Sequence, residues 1–457
     1  MRRVLGWLLA CVAPALLLCS CAFYDHPFDT PPASRSGYEL RVVQLDDFGS
    51  FWEPDRARDT IAAVEAQSLS STSSTFVVLF IHGWHHNAAP DDQNLRDFSS
   101  WLAKLSAQLS QPARRAARER LTGSADFKLI GIYVGWRGRS LPGLLDYATM
   151  WWRKSAAERV GDGDLSEFLE RLQRIYLRAN AYARYAKAPG HTPLTGLVTV
   201  GHSFGGQALL KAVGRSLESA LTQRAPCLTD ASTPPAAPRS LVAERVAIDS
   251  FGDLNILLNP ATEAYQFARI DGLYRQLAYP SNQSPQLVVF SADNDVPRKF
   301  FFPIARALTR PFRPPFRGSY QGELWGQSLG EVQAQQTHEL RLAAGQPDSL
   351  VDADFGQDAL KVAQYDFTGA SAFAGVQLSR LPGVAAIANS PVEVVVTHDR
   401  IIDGHNGIFQ SPFLDFLTGY IAFIEGKRVV LRYQRFEAQR LAGTAAAGDP
   451  ESCAPGP

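Results

Sequence analysis

The chain carries no net charge, because its 45 Lys and Arg residues match its 45 Asp and Glu residues. A basic face of the kind that recruits nucleic acid is therefore not expected, and no nucleic-acid partner is assigned. Cysteine is scarce, at five in 457 residues. Three of these, Cys11, Cys19 and Cys21, fall at the start of the chain, which leaves Cys227 and Cys453 as the only downstream pair. No internal repeat is visible, which sets aside solenoids and propellers. The longest apolar stretch near the start, Val4 to Leu18, is too short for a comfortable membrane span. What remains is 46% hydrophobic and 11% aromatic, a globular composition in a chain long enough to bury a large core. Length alone allows two or three domains, or a single α/β domain with insertions.

The first residues read as a targeting segment. Arg2 and Arg3 precede the apolar stretch, which ends in Leu18-Cys19-Ser20-Cys21. This resembles the lipobox of bacterial lipoproteins. The resemblance implies that residues 1–21 form the signal peptide with its lipobox, and that cleavage leaves Cys21 acylated. Three acyl chains would hold a protein far more firmly than one. Ala22 after that cysteine is compatible with outer-membrane sorting. An ordinary signal peptide or an uncleaved anchor is the other reading. In an exported protein Cys227 and Cys453 could pair as a disulfide, or remain as two free thiols in loops. Residues 22–37, rich in Pro, Ser and Asp, read as a tether to the folded domain.

From Tyr38 onward the pattern is that of an α/β fold. Short apolar runs at Tyr38–Leu45, Phe76–Ile81, Leu129–Val134, Leu197–Val200, Val242–Ile248, Leu287–Phe290 and Val392–Val396 read as buried strands. Ala57–Gln67, Asn94–Leu109 and Gly205–Leu221 read as helices between them. Alternation of this kind predicts a mainly parallel central sheet with helices on both faces. Residues 141–188 read as a helical insertion and 222–239 as a surface loop. Asp253 to Ala261 reads as a loop entering a helix. Residues 296–390, with Phe300-Phe301-Phe302, read as a lid-like insertion over the top of the sheet. The core domain spans 38–427, with 428–457 as a C-terminal extension.

The chemistry-bearing motif is Gly201-His202-Ser203-Phe204-Gly205, directly after the run Leu197–Val200 and before a helix. A serine hydroxyl is a poor nucleophile and must be pushed clear of the sheet toward both a base and a carbonyl carbon. A sharp strand-to-helix turn does this, and glycines two before and two after the serine relieve the crowding. Upstream, Phe76–Ile81 leads into His82-Gly83-Trp84-His85-His86-Asn87. Together these motifs resemble the α/β-hydrolase superfamily. The resemblance implies Ser203 as nucleophile, with the backbone N–H groups of Trp84 and Phe204 as oxyanion donors.

That family places the acid and then the histidine after the serine. Of the two histidines beyond the strand Val392–Val396, His405 lies between Gly404 and Gly407 on a loop long enough to reach the serine. His398 lies close to the strand and is expected to point sideways. For the acid, Asp293 matches the family spacing ahead of Val296-Pro297. Asp295 is the alternative, with a turn-capping role as its other reading, and Asp249 is a third choice. His82, His85 and His86 could suggest zinc, but no acidic or cysteine cluster accompanies them. His82 is read as a loop brace and the other two as pocket rim. Nothing in the reading requires a metal or cofactor. Gly135-Trp136-Arg137-Gly138 is expected at the edge of the site. The expected activity is hydrolysis of carboxylic esters, lipids included, by an acyl-enzyme route. An acyltransferase, thioesterase or peptidase on the same site, or a scaffold without activity, are the alternatives.

Overall fold

The computed structural model describes residues 26–445 apart from 70–72, 141–145, 147–148, 182–191, 231–233, 235–244, 310–314, 346–361, 364, 366–368 and 385–386. Cys21, the signal-like segment and Cys453 lie outside the described residues, and so do the acylation and disulfide expectations attached to them. Cys227 itself is exposed.

The strands are β1 (Ala33–Arg35), β2 (Tyr38–Gln44), β3 (Ser74–Ile81), β4 (Phe127–Gly135), β5 (Thr195–His202), β6 (Leu254–Leu258), β7 (Leu287–Ala292), β8 (His338–Leu342), β9 (Ser371–Phe373), β10 (Val376–Arg380) and β11 (Val392–Thr397). They form a single 11-stranded sheet in the order β1-β2-β4-β3-β5-β6-β7-β11-β8-β10-β9. In this order every pairing from β2 to β8 is parallel, and only the pairings of β1 with β2, β8 with β10 and β10 with β9 are antiparallel. The central strands are apolar throughout because helices cover both faces. All eight residues of β3 are buried.

Alternate side chains of these strands feed two cores. Val78 and Phe80 face helices α2 (Gln93–Leu109), α3 (Pro112–Thr122) and the long final helix Phe413–Ala445. Val77, Leu79 and Ile81 face helix α1 (Pro54–Leu69) and the helices Met150–Asp162, Asp164–Ala179 and Phe204–Thr222. Helix α2 starts at Asp92, whose carboxylate accepts the Asn94 N–H and satisfies an otherwise unpaired helix-end donor.

Three expectations are corrected. The strand beside β5 is Leu254–Leu258, within the stretch expected to be a loop entering a helix. The described part of Val242–Ile248 forms no strand and makes only an isolated bridge at Arg245. Asn255 disguised β6 by interrupting its apolar run. Inside the sheet its side chain is fully used, accepting from Thr199 Oγ1 at 2.6 Å and donating to the Phe251 and Gln286 carbonyls at 2.9 Å.

Second, residues 296–390 are not merely a covering. Strands β8, β10 and β9 come from this stretch and extend the central sheet past β11. The helical half is pinned at Arg306, which pairs with buried Glu263 at 2.9 Å and sits 3.8 Å over the Trp325 ring. Third, no boundary falls at residue 427. The 33-residue final helix runs through it, and beyond it Arg432 pairs with Asp253 and Phe436 packs on Leu194. No described helix is long and apolar enough to cross a membrane.

Candidate active site

Loops at the carboxyl ends of parallel strands β3, β5, β6, β7 and β11 meet around Ser203 and His405, and the loop after β4 braces the one after β3, as sites in open α/β sheets do. Strand β5 ends at His202, and the helix starts at Phe204. The single residue between them, Ser203, is held at φ 56° and ψ −121°. A non-glycine residue in that region is strained, and the neighbours must hold it there. The Ser203 N–H bonds to the Leu258 carbonyl at 3.0 Å, and the Ser203 carbonyl accepts from Ala261 at 3.1 Å. Bulk two residues away is excluded. A Cβ on Gly201 would stand 2.6 Å from the Gly205 carbonyl oxygen, and one on Gly205 would collide with the Ile81 and His82 carbonyls.

His405 bonds Ser203 Oγ through Nε2 at 2.7 Å, and its Nδ1 bonds Asp295 Oδ2 at 2.7 Å. A carboxylate can only accept, so Nδ1 carries a proton and a neutral His405 presents the Nε2 lone pair to the hydroxyl. Asp295 is fully buried, while His405 is about one-sixth exposed, at 16%. Burial alone would push the Asp295 carboxyl up. The charges and hydrogen bonds of His405 and Arg298 outweigh that and hold it well below the ordinary carboxylate range.

Of the two preferred acids, the structure selects the alternative. Asp293 faces away and bonds His398 Nδ1 at 2.8 Å. His398 therefore does point aside, toward Asp293 and Glu339, and away from Ser203. Asp249 sits near Arg428 at 3.8 Å, at the far end of the sheet from the serine.

The loop after β3 lies against Ser203. A Cβ on Gly83 would stand 2.7 Å from Ser203 Cβ, so only glycine lets this backbone approach so closely. The next residue, Trp84, is followed by His85, whose N–H bonds the Gly138 carbonyl at 3.1 Å. His82 braces the loop, as expected. It accepts the Trp136 N–H at Nε2 (3.0 Å), donates from Nδ1 to the Gly83 carbonyl (2.8 Å), and stacks on Trp136 with rings 5.6 Å apart. Burial holds its imidazole neutral by lowering its pKa to about 4. His85 and His86 bond Asp146 and Asp92 at 2.7 and 3.2 Å. Among the described residues no group of His, Cys, Asp and Glu is arranged to hold a metal ion.

Two further residues, unassigned from sequence, fix the His405 backbone. His202 Nε2 donates to the His405 carbonyl at 2.9 Å, and Asn259 Nδ2 donates to the same oxygen at 2.9 Å and to Gly404 O at 3.2 Å. Asn294 accepts the Gly404 N–H at 2.9 Å. The glycine-flanked loop is thus tied at several points. Asn259, at φ 44° directly after β6, could have been noticed only once β6 itself was recognised. A cavity of about 470 Å³ beside Asn180, Gly252, Arg428 and Arg432 opens at the amino ends of β5 and β6 and is remote from Ser203.

Fold and site together define a class: an α/β protein with a hydrogen-bonded Ser–His–Asp array at the carboxyl edge of a mainly parallel sheet. No protein-family model matches the chain, and neither curated proteins nor solved structures yield a match.

Proposed function

We propose that the chain is a serine hydrolase of the α/β-hydrolase type, acting on carboxylic esters by acyl transfer. The observation that carries this reading is the unbroken hydrogen-bond path from Ser203 Oγ through His405 to Asp295, both links 2.7 Å, with the serine on a strained strand-to-helix turn. The chain order serine, aspartate, histidine is that of the α/β-hydrolases.

In the first step Ser203 Oγ passes its proton to His405 Nε2 and bonds the ester carbonyl carbon. The N–H groups of Trp84 and Phe204 are assigned to the resulting oxyanion. The close seat of Gly83 on Ser203 and the helix start at Phe204 support that assignment. Asp295 stabilises the imidazolium and fixes its tautomer. The imidazolium then protonates the departing alkoxide as the ester C–O bond breaks. Water, giving its proton to the same nitrogen, attacks the acyl-enzyme, and collapse of the second tetrahedral intermediate returns the proton to Ser203 and frees the acid.

An apolar acyl group is favoured by two exposed apolar side chains on the stretch that follows β7. Val296, next to Asp295, and Ile304 on the following helix are 52% and 59% exposed. The lipobox-like Leu18–Cys21 supports a lipid anchor on Cys21 and a cell-envelope location, with esters or lipids as small-molecule substrates. A fluorophosphonate probe and a series of nitrophenyl esters of rising acyl length test the reading. Labelling is expected in the wild type and absent in Ser203→Ala, and His405→Ala should lower kcat/KM at least about 1,000-fold. Absence of labelling in folded protein, or equal ester rates with His405→Ala, would remove the proposal.

A further inference from the structure

The Asp295 carboxylate has a second partner besides His405, and this one is a cation. Arg298, only 1% exposed, donates from Nε to Asp295 Oδ2 at 2.6 Å, the same oxygen that His405 uses. The Arg298 backbone N–H bonds the other oxygen at 3.0 Å. The guanidinium is itself held on its far side. Nη2 donates to Glu331 Oε1 and to Ser291 Oγ, each at 2.7 Å, and Nη1 donates to the Leu329 carbonyl at 3.2 Å. A buried arginine costs several kcal/mol of desolvation and is retained only where its charge is paired and its donors used.

We propose that Arg298 and Glu331 form a positioning and charge-tuning relay behind Asp295, so that the base strength of His405 is set by the row His405–Asp295–Arg298–Glu331. This rests on the serine hydrolase reading for its catalytic meaning, though its electrostatics can be measured without it. Alone, Arg298 would cancel much of the negative charge that steadies the imidazolium. Glu331 restores it, leaving Asp295, Arg298 and Glu331 with a combined charge of one negative unit. Arg298 also fixes the carboxylate plane by occupying both oxygens, so Oδ2 stays aimed at Nδ1.

The other titratable groups around this row come from several elements. They are His202 after β5, Asp293 and Lys299 beside Asp295, and His398 and Asp403 on the His405 loop. Among the described residues none of them bonds the Asp295 carboxylate. Asp293 is engaged by His398, Asp403 by Asn294, and His202 by the His405 carbonyl. Burial, and then the proximity of His405, keep His202 neutral with a pKa well below its usual value.

The test uses Glu331→Gln, Arg298→Met and Arg298→Lys in the full chain, each checked for folding by circular dichroism. Two readouts are followed. One is the acidic limb of kcat/KM on a nitrophenyl ester. The other is the NMR titration of the His405 imidazole, with each change also placed on Ser203→Ala so that no turnover is needed. Glu331→Gln should move both to lower pH, and Arg298→Met should move both to higher pH. The Arg298→Met shift should be the larger, because Glu331 stands one link farther along the row, and each should reach about one pH unit, as expected for a unit charge roughly 5–10 Å away at an effective dielectric constant of about 20–40. Arg298→Lys should fall between Arg298→Met and wild type. Opposite displacement by the two charge removals is the signature, since a purely structural defect would not change sign with the charge removed. Coincident titrations of Glu331→Gln and wild type, or displacement of both variants in one direction, overturn the relay. If Arg298→Met does not fold, Glu331→Gln decides alone. A wild type that hydrolyses no ester but shows the shifts keeps the relay and sinks the hydrolase reading. Ester hydrolysis with unmoved titrations does the reverse.

Discussion

At the scale of single residues, the choice between Asp293 and Asp295 is decided by two positions of chain. Asp293 is still tied to the sheet by its N–H bond to Thr397 at 3.0 Å, and its side chain reaches over β11 to His398. Asp295 opens the following helical turn. One of its oxygens caps the Arg298 N–H while the other meets His405. The capping and catalytic readings of Asp295 were therefore not rivals, because a carboxylate has an oxygen for each. Asp295→Asn should lower kcat by about 10,000-fold, since the amide presents the wrong hydrogen-bonding partner to imidazole. Asp293→Asn should stay within about threefold of wild type, because the pair it disrupts is solvent-exposed and does not touch the serine. Steady-state rates on one ester separate the two, and equal losses would contradict the assignment. Ser203, His405 and the His82–Trp84 loop were legible because each motif has a fixed relation to a strand end. Arg298 and Asn259 were not, because nothing local marks the Arg298 anchors at Leu329 and Glu331, 31 and 33 residues on, or the Asn259 contacts with Gly404 and His405, 145 and 146 residues away.

At the scale of elements, β11 carries a cost at one end and the catalytic loop at the other. Glu393, on the second position of the strand, is 2% exposed and accepts from the Tyr420 hydroxyl at 3.3 Å. Burial pushes its carboxyl up to about 7, against the pull of Tyr420, Arg380 and Lys427. A carboxyl whose folded pKa is raised binds more protons folded than unfolded between about pH 4.5 and 7. Stability is therefore lost as pH rises through that window, and the penalty is complete above it. Glu393→Gln keeps the shape and an acceptor for Tyr420 but cannot ionise. At pH 8 it should stabilise the fold, by up to about 3 kcal/mol on this order-of-magnitude argument, and near pH 4 by little or nothing. Urea unfolding at the two pH values measures this, and a gain that does not vary with pH would refute the assigned burial cost. Such residues also explain which elements could be read. The alternating β2 and the mostly apolar runs of β3, β4, β5, β7 and β11 were visible in sequence, β11 despite Glu393. The β6 run, with its internal asparagine, was not. Nor were β8 and β10, two five-residue strands of mixed polarity inside a stretch expected to be a lid.

At the scale of the whole molecule, the final helix joins parts that lie far apart in the sequence. On one side Trp101 Nε1 donates to Thr418 Oγ1 at 3.1 Å, and Arg114 donates to the Ala422 carbonyl at 2.7 Å, fastening it to α2 and α3. On another, Phe290 of β7 meets Phe413, Phe416 and Tyr420 edge-on. Farther along the sheet, Phe373 of β9, fully buried, packs edge-on against Phe416, Tyr420 and Phe423 with centroids 5.6 to 5.8 Å apart. The extra strands of the 296–390 stretch thus share one aromatic core with the strand that precedes Asp295. A detachable lid would unfold on its own, whereas a stretch built into the sheet and sealed by the same helix should not. Phe373→Ala removes a buried ring at that junction and should cost about 3–5 kcal/mol. The cost should appear as a downward move of the entire thermal transition, with loss of fluorophosphonate labelling at Ser203 following the loss of helical signal over the same temperatures. An early separate transition that leaves labelling intact would instead mean that β8 to β10 form an independent unit, and that the site depends on the sheet only as far as β11.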